Sequence, residues 1–313
     1  MKNIIVGGAG FIGSYLADSL ILRGNEVVVI DNLFSGNLKN LDFIKGSKKL
    51  KIYKEDFIDI KKMRSIFKKE KPDMLFNLAT AGLIRALENP IWCFDQEIRL
   101  AETACQLLKE GLVKQMVHFS TSEVYGNVGM PVIDPEYSRT EPTTTYAAGK
   151  LAADHLISAM VDLNAVIIRS FNNFGSRQHN LKYQGIIPKT INLLRQNKHV
   201  TIYGDGSQTR DFIYVGDTIN RLFIILRHHF ALSKENRRKI YHICSEQEVS
   251  ILKLVEMIAG IGNFDLKIDF VEERKGEINR LTGKQTLIEG EVLPKAALLE
   301  DVIRNLINQR GFS

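Results

Sequence analysis

An α/β fold is predicted, a doubly wound parallel sheet with a smaller C-terminal α/β unit interleaved into it. Three observations carry this expectation. Short apolar segments alternate with helical ones through the first 170 residues, the first strand runs straight into a glycine turn, and after Arg169 the rhythm changes to longer loops and isolated helices. Strands that are apolar between their ends, without strict alternation, are what burial on both faces demands.

The elements follow in order. Residues 4–6 form the first strand, and a helix over about 11–23, stopped by Gly24, follows its glycine turn. Residues 26–31 are the second strand, and 50–53, 74–77 and 115–120 repeat the pattern, with helical stretches near 60–69, 92–109 and 146–162 and a sixth strand at 165–169. Repeated βα units make a parallel sheet whose ligands lie at the carboxyl ends of the strands. Beyond it, 187–195 and 251–259 read as helices, 200–203 and 266–270 as strands, and 298–309 as a terminal helix. Residues 217–226 with 239–243 read as one more helix–strand unit returning to the first sheet. The expected domains are therefore 1–170 plus about 214–245, and 171–213 plus 246–313.

The totals narrow the class. With 44% hydrophobic and 25% charged residues, the composition is that of an ordinary globular enzyme. Apolar runs are broken within about ten residues, where a membrane span needs roughly 20. The first strand begins almost at Met1, so no signal peptide is expected, and Cys93, Cys105 and Cys244 show neither disulfide nor metal spacing. These features point to a cytoplasmic protein with reduced cysteines and no metal. The net charge of +6 is spread over lysines at 45–54, 61–71 and 182–198 without interleaved aromatics, so no nucleic-acid surface is expected.

Gly7-Gly8-Ala9-Gly10-Phe11-Ile12-Gly13 lies between the first strand and the first helix. Glycines permit the tight turn and let backbone N–H groups approach a pyrophosphate at the positive end of the helix. Asp31, ending the second strand with Asn32 beside it, can accept from the adenosine ribose hydroxyls and repel a 2′-phosphate, which favours NAD over NADP. Asp56 and Phe57 follow the third strand, where an adenine would lie, and Leu78, Ala79 and Thr80 follow the fourth, beside the same cofactor. This is a Rossmann-type arrangement.

Tyr146 and Lys150 stand four residues apart, on one helix face. The ammonium, together with the nicotinamide charge, is expected to lower the phenol from ~10 toward working pH, so that Tyr146 can take a proton while hydride leaves for NAD. The fifth strand ends in Thr121, Ser122 and Glu123, placing hydroxyls and a carboxylate near the nicotinamide. Simple alcohol oxidation has no need of that carboxylate.

Taken together, the glycine turn, Asp31, Asp56, Ser-Thr-Ser-Glu-Val-Tyr-Gly and Tyr-x-x-x-Lys resemble the extended short-chain dehydrogenases, the NAD-dependent epimerase/dehydratase family. Residues 169–175, Arg-Ser-Phe-Asn-Asn-Phe-Gly, look like a family segment whose Asn, here Asn172, contacts the nucleotide-sugar diphosphate. The stretch Tyr203 to Arg210 resembles the substrate motif, with Tyr203 near the base and Arg210 on the diphosphate, and Arg274 resembles another diphosphate arginine. The resemblance also implies a substrate contact at Pro188 and a homodimer through the helices near 92–109 and 146–162.

The chain departs from the family pattern in several places. Asn77-Leu78-Ala79-Thr80 stands for His-Leu-Ala-Ala, Glu97 is nearest to an expected Asn, Ser176 replaces Pro, and the stretch from Leu281 lacks a usual segment. A shared first step is implied, with Tyr146 deprotonating a C4 hydroxyl to give a 4-keto sugar. A 4,6-dehydratase, a lyase, then needs a base for the C5 proton, which Glu123 matches, and an acid for the C6 hydroxyl, at Ser122. A 4-epimerase, an isomerase, needs no carboxylate there, whereas UDP-glucuronate decarboxylases share Thr-Ser-Glu. Dehydratase ranks first, and a non-catalytic NAD-binding regulator is disfavoured by the intact Tyr146 and Lys150.

Overall fold

The computed structural model describes residues 1–178, 184–233 and 237–309; Lys182, one end of the lysine spread, lies outside them. Strands β1 (Lys2–Val6), β2 (Glu26–Ile30), β3 (Leu50–Tyr53), β4 (Met74–Asn77), β5 (Gln115–Thr121), β6 (Ala165–Ser170) and β10 (Ile240–Ile243) form a sheet in the order β10-β6-β5-β4-β1-β2-β3. Helices α1 (Phe11–Leu22), α2 (Ile60–Glu70), α3 (Leu83–Glu88), α4 (Pro90–Lys109) and α5 (Thr145–Ala159) connect its strands, and α7 (Val215–Ala231) precedes β10. The order reverses between β1 and β4, the position where such sheets bind ligands.

Register fixes what meets at that edge. Val6 pairs with Ile30 on one side and Asn77 on the other, and Asn77 pairs with His118. The residues that follow, Gly7, Asp31, Leu78 and Phe119, therefore emerge side by side.

The second set of elements comprises β7 (Asn172–Phe174), α6 (Ile186–Arg195), β8 (Val200–Tyr203), β9 (Thr209–Tyr214), β11 (Glu248–Ser250), α8 (Ile251–Gly262), β12 (Ile268–Val271), β13 (Arg280–Leu281) and α9 (Leu299–Asn308). By contact density the chain divides into two units, 1–124 with 144–169 and 225–241, and 125–143 with 170–224 and 242–313. In the first, Ile4, Val28, Ile30, Leu75 and Met116 of the sheet pack against Met63, Phe67 and Leu107 of the helices. In the second, Ile187 and Ile191, Leu254 and Ile258, and Val302 and Ile303 bring α6, α8 and α9 over Val200, Ile202 and Phe212. Each such side chain contributes about 1.5–3 kcal/mol when fully buried.

Several boundaries differ from the sequence reading, for local reasons. Helix α4 starts at Pro90, whose missing N–H costs nothing in a first turn. Helix α5 starts one residue early because the Thr144 hydroxyl caps it, accepting from Ala147 N at 3.2 Å. Strand β9 had no sequence signal, since Arg210 and Asp211 sit in its middle. Both are buried: the Asp211 carboxylate accepts from Ser245 N and Oγ at 2.7 Å each and from Glu246 N at 2.9 Å. All three cysteines are buried and unpaired, and among the described residues no helix is long and apolar enough to cross a membrane.

Candidate active site

The glycine turn is tightly enclosed. Gly7 has φ +74°, and a Cβ there would come 2.9 Å from Ala79 N, so the turn lies against the Leu78–Ala79 backbone. A Cβ on Gly13 would fall onto the Gly7 carbonyl oxygen. No side chain caps α1, which opens at Phe11 and Ile12 after Gly10. Its first N–H groups are thus left for a ligand, at the positive end of the helix dipole.

Asp31 is 7% exposed, and its carboxylate accepts from Ala9 N and Leu33 N, each at 2.9 Å. Burial raises its pKa and the two N–H donors oppose that rise. Asn32 Nδ2 donates to Asp56 Oδ2 at 3.2 Å, joining two of the expected cofactor residues. Phe57, at 3% exposed, has its ring in the core, so what it can offer an adenine is backbone. The enclosed turn, the uncapped helix end and the buried acid fit a dinucleotide without a 2′-phosphate. NAD(H) should bind at least about tenfold more tightly than NADP(H), a difference of about 1.4 kcal/mol. Fluorescence titration with both cofactors checks this, and equal affinities would remove the argument from Asp31.

Tyr146 and Lys150 lie on the first turns of α5, Tyr146 packing against Ala81, Cys93 and Trp92. The Tyr146 hydroxyl is within hydrogen-bonding reach of the Thr121 and Thr80 hydroxyls. Lys150, 2% exposed, donates to Phe119 O at 3.0 Å, which ties α5 to the end of β5. Below it, the buried Asp154 carboxylate accepts from Ser120 Oγ at 3.0 Å and from Arg169 Nε at 2.9 Å. Residues 122–125 form a 3-10 turn in which Glu123 N donates to Thr121 Oγ1 at 3.2 Å. Ser122 is buried and Glu123 half-buried, its charge close enough to act on Tyr146.

Tyr146 is held well above the ordinary tyrosine value, by burial first and then by the carboxylates of Glu97 and Glu123. The ammonium expected to lower it is already paired: Lys150 Nζ lies 3.0 Å from Glu97 Oε2. Glu97 was noted in the sequence only as a departure, because an acid within an amphipathic helix carries no sign that it points inward. Asn77, the other departure, donates to Leu100 O at 3.3 Å and meets His118 Nδ1 at 3.2 Å. Burial keeps that imidazole neutral.

In the second unit, the Arg274 guanidinium stacks 3.8 Å from the Tyr203 ring centre, bringing two expected substrate residues together. Arg210 is buried, donating to Ile278 O at 2.6 Å and pairing with Glu277, so it braces the loop that carries Arg274. Asn172 Oδ1 is buried with no hydrogen-bond partner among the described residues, an acceptor left for a ligand. Pro188 is buried in the first turn of α6.

A doubly wound sheet with a glycine-enclosed helix end at its switch point, and a Tyr–Lys pair near the end of β5, is the class of fold that can hold a dinucleotide. A model of the NAD dependent epimerase/dehydratase family matches residues 3–244, and the chain belongs to that family, whose cofactor is NAD. It is 32% identical over 277 residues to dTDP-D-glucose 4,6-dehydratase of Dictyostelium discoideum, covering 83% of this chain and spanning 62% of that protein's length. It is 31% identical over 282 residues to UDP-N-acetyl-alpha-D-glucosaminuronate decarboxylase of Bacillus cytotoxicus, covering 88% of this chain and 84% of that protein. Its fold matches UDP-N-acetylglucosamine 4-epimerase from Methanobrevibacter ruminantium, solved with UDP-N-acetylmuramic acid. There the TM-score is 0.83 and the identity 28%, over 98% of this chain and 96% of that one.

Proposed function

We propose that the chain is a nucleotide-sugar 4,6-dehydratase acting through a 4-keto intermediate. The observation that carries this reading is the Glu123 carboxylate beside Tyr146 at the end of β5. NAD, when bound, accepts and returns a hydride. Tyr146 takes the C4 hydroxyl proton as the C4 hydride leaves, with the Thr121 hydroxyl sharing the hydrogen bond to the reacting oxygen. The ketone acidifies C5, Glu123 removes that proton, and the C6 hydroxyl departs as water on receiving a proton through the Ser122 hydroxyl, which regains one from solvent as the proton held by Tyr146 returns to solvent. A proton returns to C5 from Glu123 after exchange with solvent, the hydride returns to C6, and the product is a 4-keto-6-deoxy sugar. Tyr203, Arg274 and Asn172 are the groups we assign to the nucleotide diphosphate, an anion suited to guanidinium recognition.

A second reading, decarboxylation of a nucleotide-linked uronic acid, is favoured by the burial of Ser122. That reaction needs no acid for a departing hydroxyl, because the 4-keto acid loses carbon dioxide. Incubation with UDP- and dTDP-linked hexoses and uronic acids, read by mass spectrometry, decides between them. Loss of water is the expected outcome. Loss of carbon dioxide would replace it with the decarboxylase, and conversion at unchanged mass with a 4-epimerase.

A further inference from the structure

The segments that follow β2 and β4 both border the glycine turn. From one side, Ala9 O accepts from Asn37 N at 2.9 Å and from Asn40 Nδ2 at 3.0 Å, which binds the segment after β2 to the turn. From the other, the Leu78–Ala79 backbone lies against Gly7. Because β1 stands between β2 and β4 in the sheet, a contact between these two segments has to cross the carboxyl end of β1.

Phe34 and Arg85 make that contact. The Arg85 guanidinium, carried by α3, lies 3.4 Å from the Phe34 ring centre and donates to Phe34 O at 3.5 Å. The Phe34 ring also meets Trp92 of α4, with ring centres 5.4 Å apart and planes tilted by 53°. A guanidinium on an aromatic face and a tilted ring pair attract one another even at a surface. Phe34 is 44% exposed and stands outside the core of the first unit, so core packing does not account for its place. Trp92 packs in turn on Ala81, Ala86 and Cys93, the cluster on which Tyr146 also rests. The three side chains thus form an arch that starts three residues beyond Asp31 and ends beside the candidate base.

We propose that Phe34, Arg85 and Trp92 form a clasp across the cofactor site, which retains the dinucleotide and sets how fast it leaves. A dinucleotide reaching from Asp31 to Tyr146 passes the N-terminus of α1, and that is the stretch the arch spans. The Arg85 charge at its mouth suits a diphosphate. Outside the arch, a groove of about 370 Å³ shared with Glu88 and Asn89 gives the side chains room to swing apart. The clasp rests on NAD as the cofactor and not on the choice among dehydratase, decarboxylase and epimerase.

Trp92 is the single tryptophan of the chain, so energy transfer from it to bound NADH reports release without background. Protein loaded with NADH is mixed with excess NAD, with no sugar nucleotide present. Arg85→Ala and Phe34→Ala should each release NADH about tenfold faster or more than the native protein. The double variant should release it no faster than the quicker single one, because both changes remove the same contact. Arg85→Lys keeps the charge but loses the flat stacking face, and should release NADH as Arg85→Ala does. A native release rate in either alanine variant overturns the proposal, and so does an additive double variant. A native rate in Arg85→Lys also overturns it, because Arg85 would then act as a charge alone. Should the variants fail to fold, the native protein still decides. Saturating NAD should remove much of the quenching of Trp92 by acrylamide, and unchanged quenching overturns the clasp.

Discussion

Glu123→Gln should lower turnover to the 4-keto-6-deoxy product by ~10²–10⁴, the usual worth of a positioned acid or base, while leaving the first hydride transfer in place. Glu123 N is held by Thr121 and the 3-10 turn of residues 122–125 is set by backbone, so the amide should occupy the same position. Reduced cofactor should then accumulate, and solvent deuterium, which enters C5 with the native enzyme, should hardly enter at all. Tyr146→Phe should behave differently, giving no reduced cofactor because the first proton has no acceptor. Removing the Glu123 charge also removes one of the two carboxylates that hold the Tyr146 proton, so the oxidation step of Glu123→Gln should extend to lower pH. Near-native turnover in Glu123→Gln, with Tyr146→Phe inactive, would reduce Glu123 to a structural acid and leave a 4-epimerase.

Gly13→Ala should have the second large effect, on cofactor binding and stability together. The new methyl would fall onto the Gly7 carbonyl oxygen and close to Gly8 Cα, both backbone atoms that cannot rotate away. Relief requires α1 and the turn to separate, and overpacking of this kind costs about 1–3 kcal/mol. The same separation withdraws the helix N-terminus from any pyrophosphate, so NAD affinity should fall by more than the loss of stability alone would imply. Gly46→Ala is the control, because a Cβ there meets nothing within 4 Å. It should stay within about 0.5 kcal/mol of native, as open surface substitutions do. Thermal melts with and without NAD check both variants, and a Gly13→Ala protein that binds NAD as the native does would count against the turn as the pyrophosphate site.

The parts of this molecule that could be read in the sequence are those where spacing is structure. Gly7 to Gly13, Asp31 and the Tyr146–Lys150 pair each sit within one turn or at one strand end, so local pattern and position coincide. The ion pair of Glu97 with Lys150 was not legible, because it depends on how closely two helices approach. Gly149 permits that approach: a Cβ there would come 3.0 Å from Glu97 Cβ and 3.1 Å from Phe94 O. Thr80 and Glu97 read separately as two departures from a pattern, yet the structure joins them at 2.6 Å, so one change answers the other. Around Tyr146 the sequence displays the Lys150 cation but not the Glu97 carboxylate paired with it. Arg210, read as a diphosphate ligand, is buried against Glu277 and Ile278, a pairing across more than sixty residues that no local motif announces.

Asp211 also bears on the order in which the chain can assemble. Its carboxylate is fully buried, and the groups that satisfy it, Ser245, Glu246 and Gly283, arrive 34, 35 and 72 residues later. Until they do, closing β9 into its sheet would strand a charge with no donor. On a ribosome, the strands and helices before residue 124 have most of their partners as soon as they emerge, whereas β9 must stay hydrated until nearly the whole chain is out. The second unit is thus a late product of synthesis, closed by long-range contacts whose loop entropy makes them slow. A chain stopped short of Ser245 would leave its second unit unable to close.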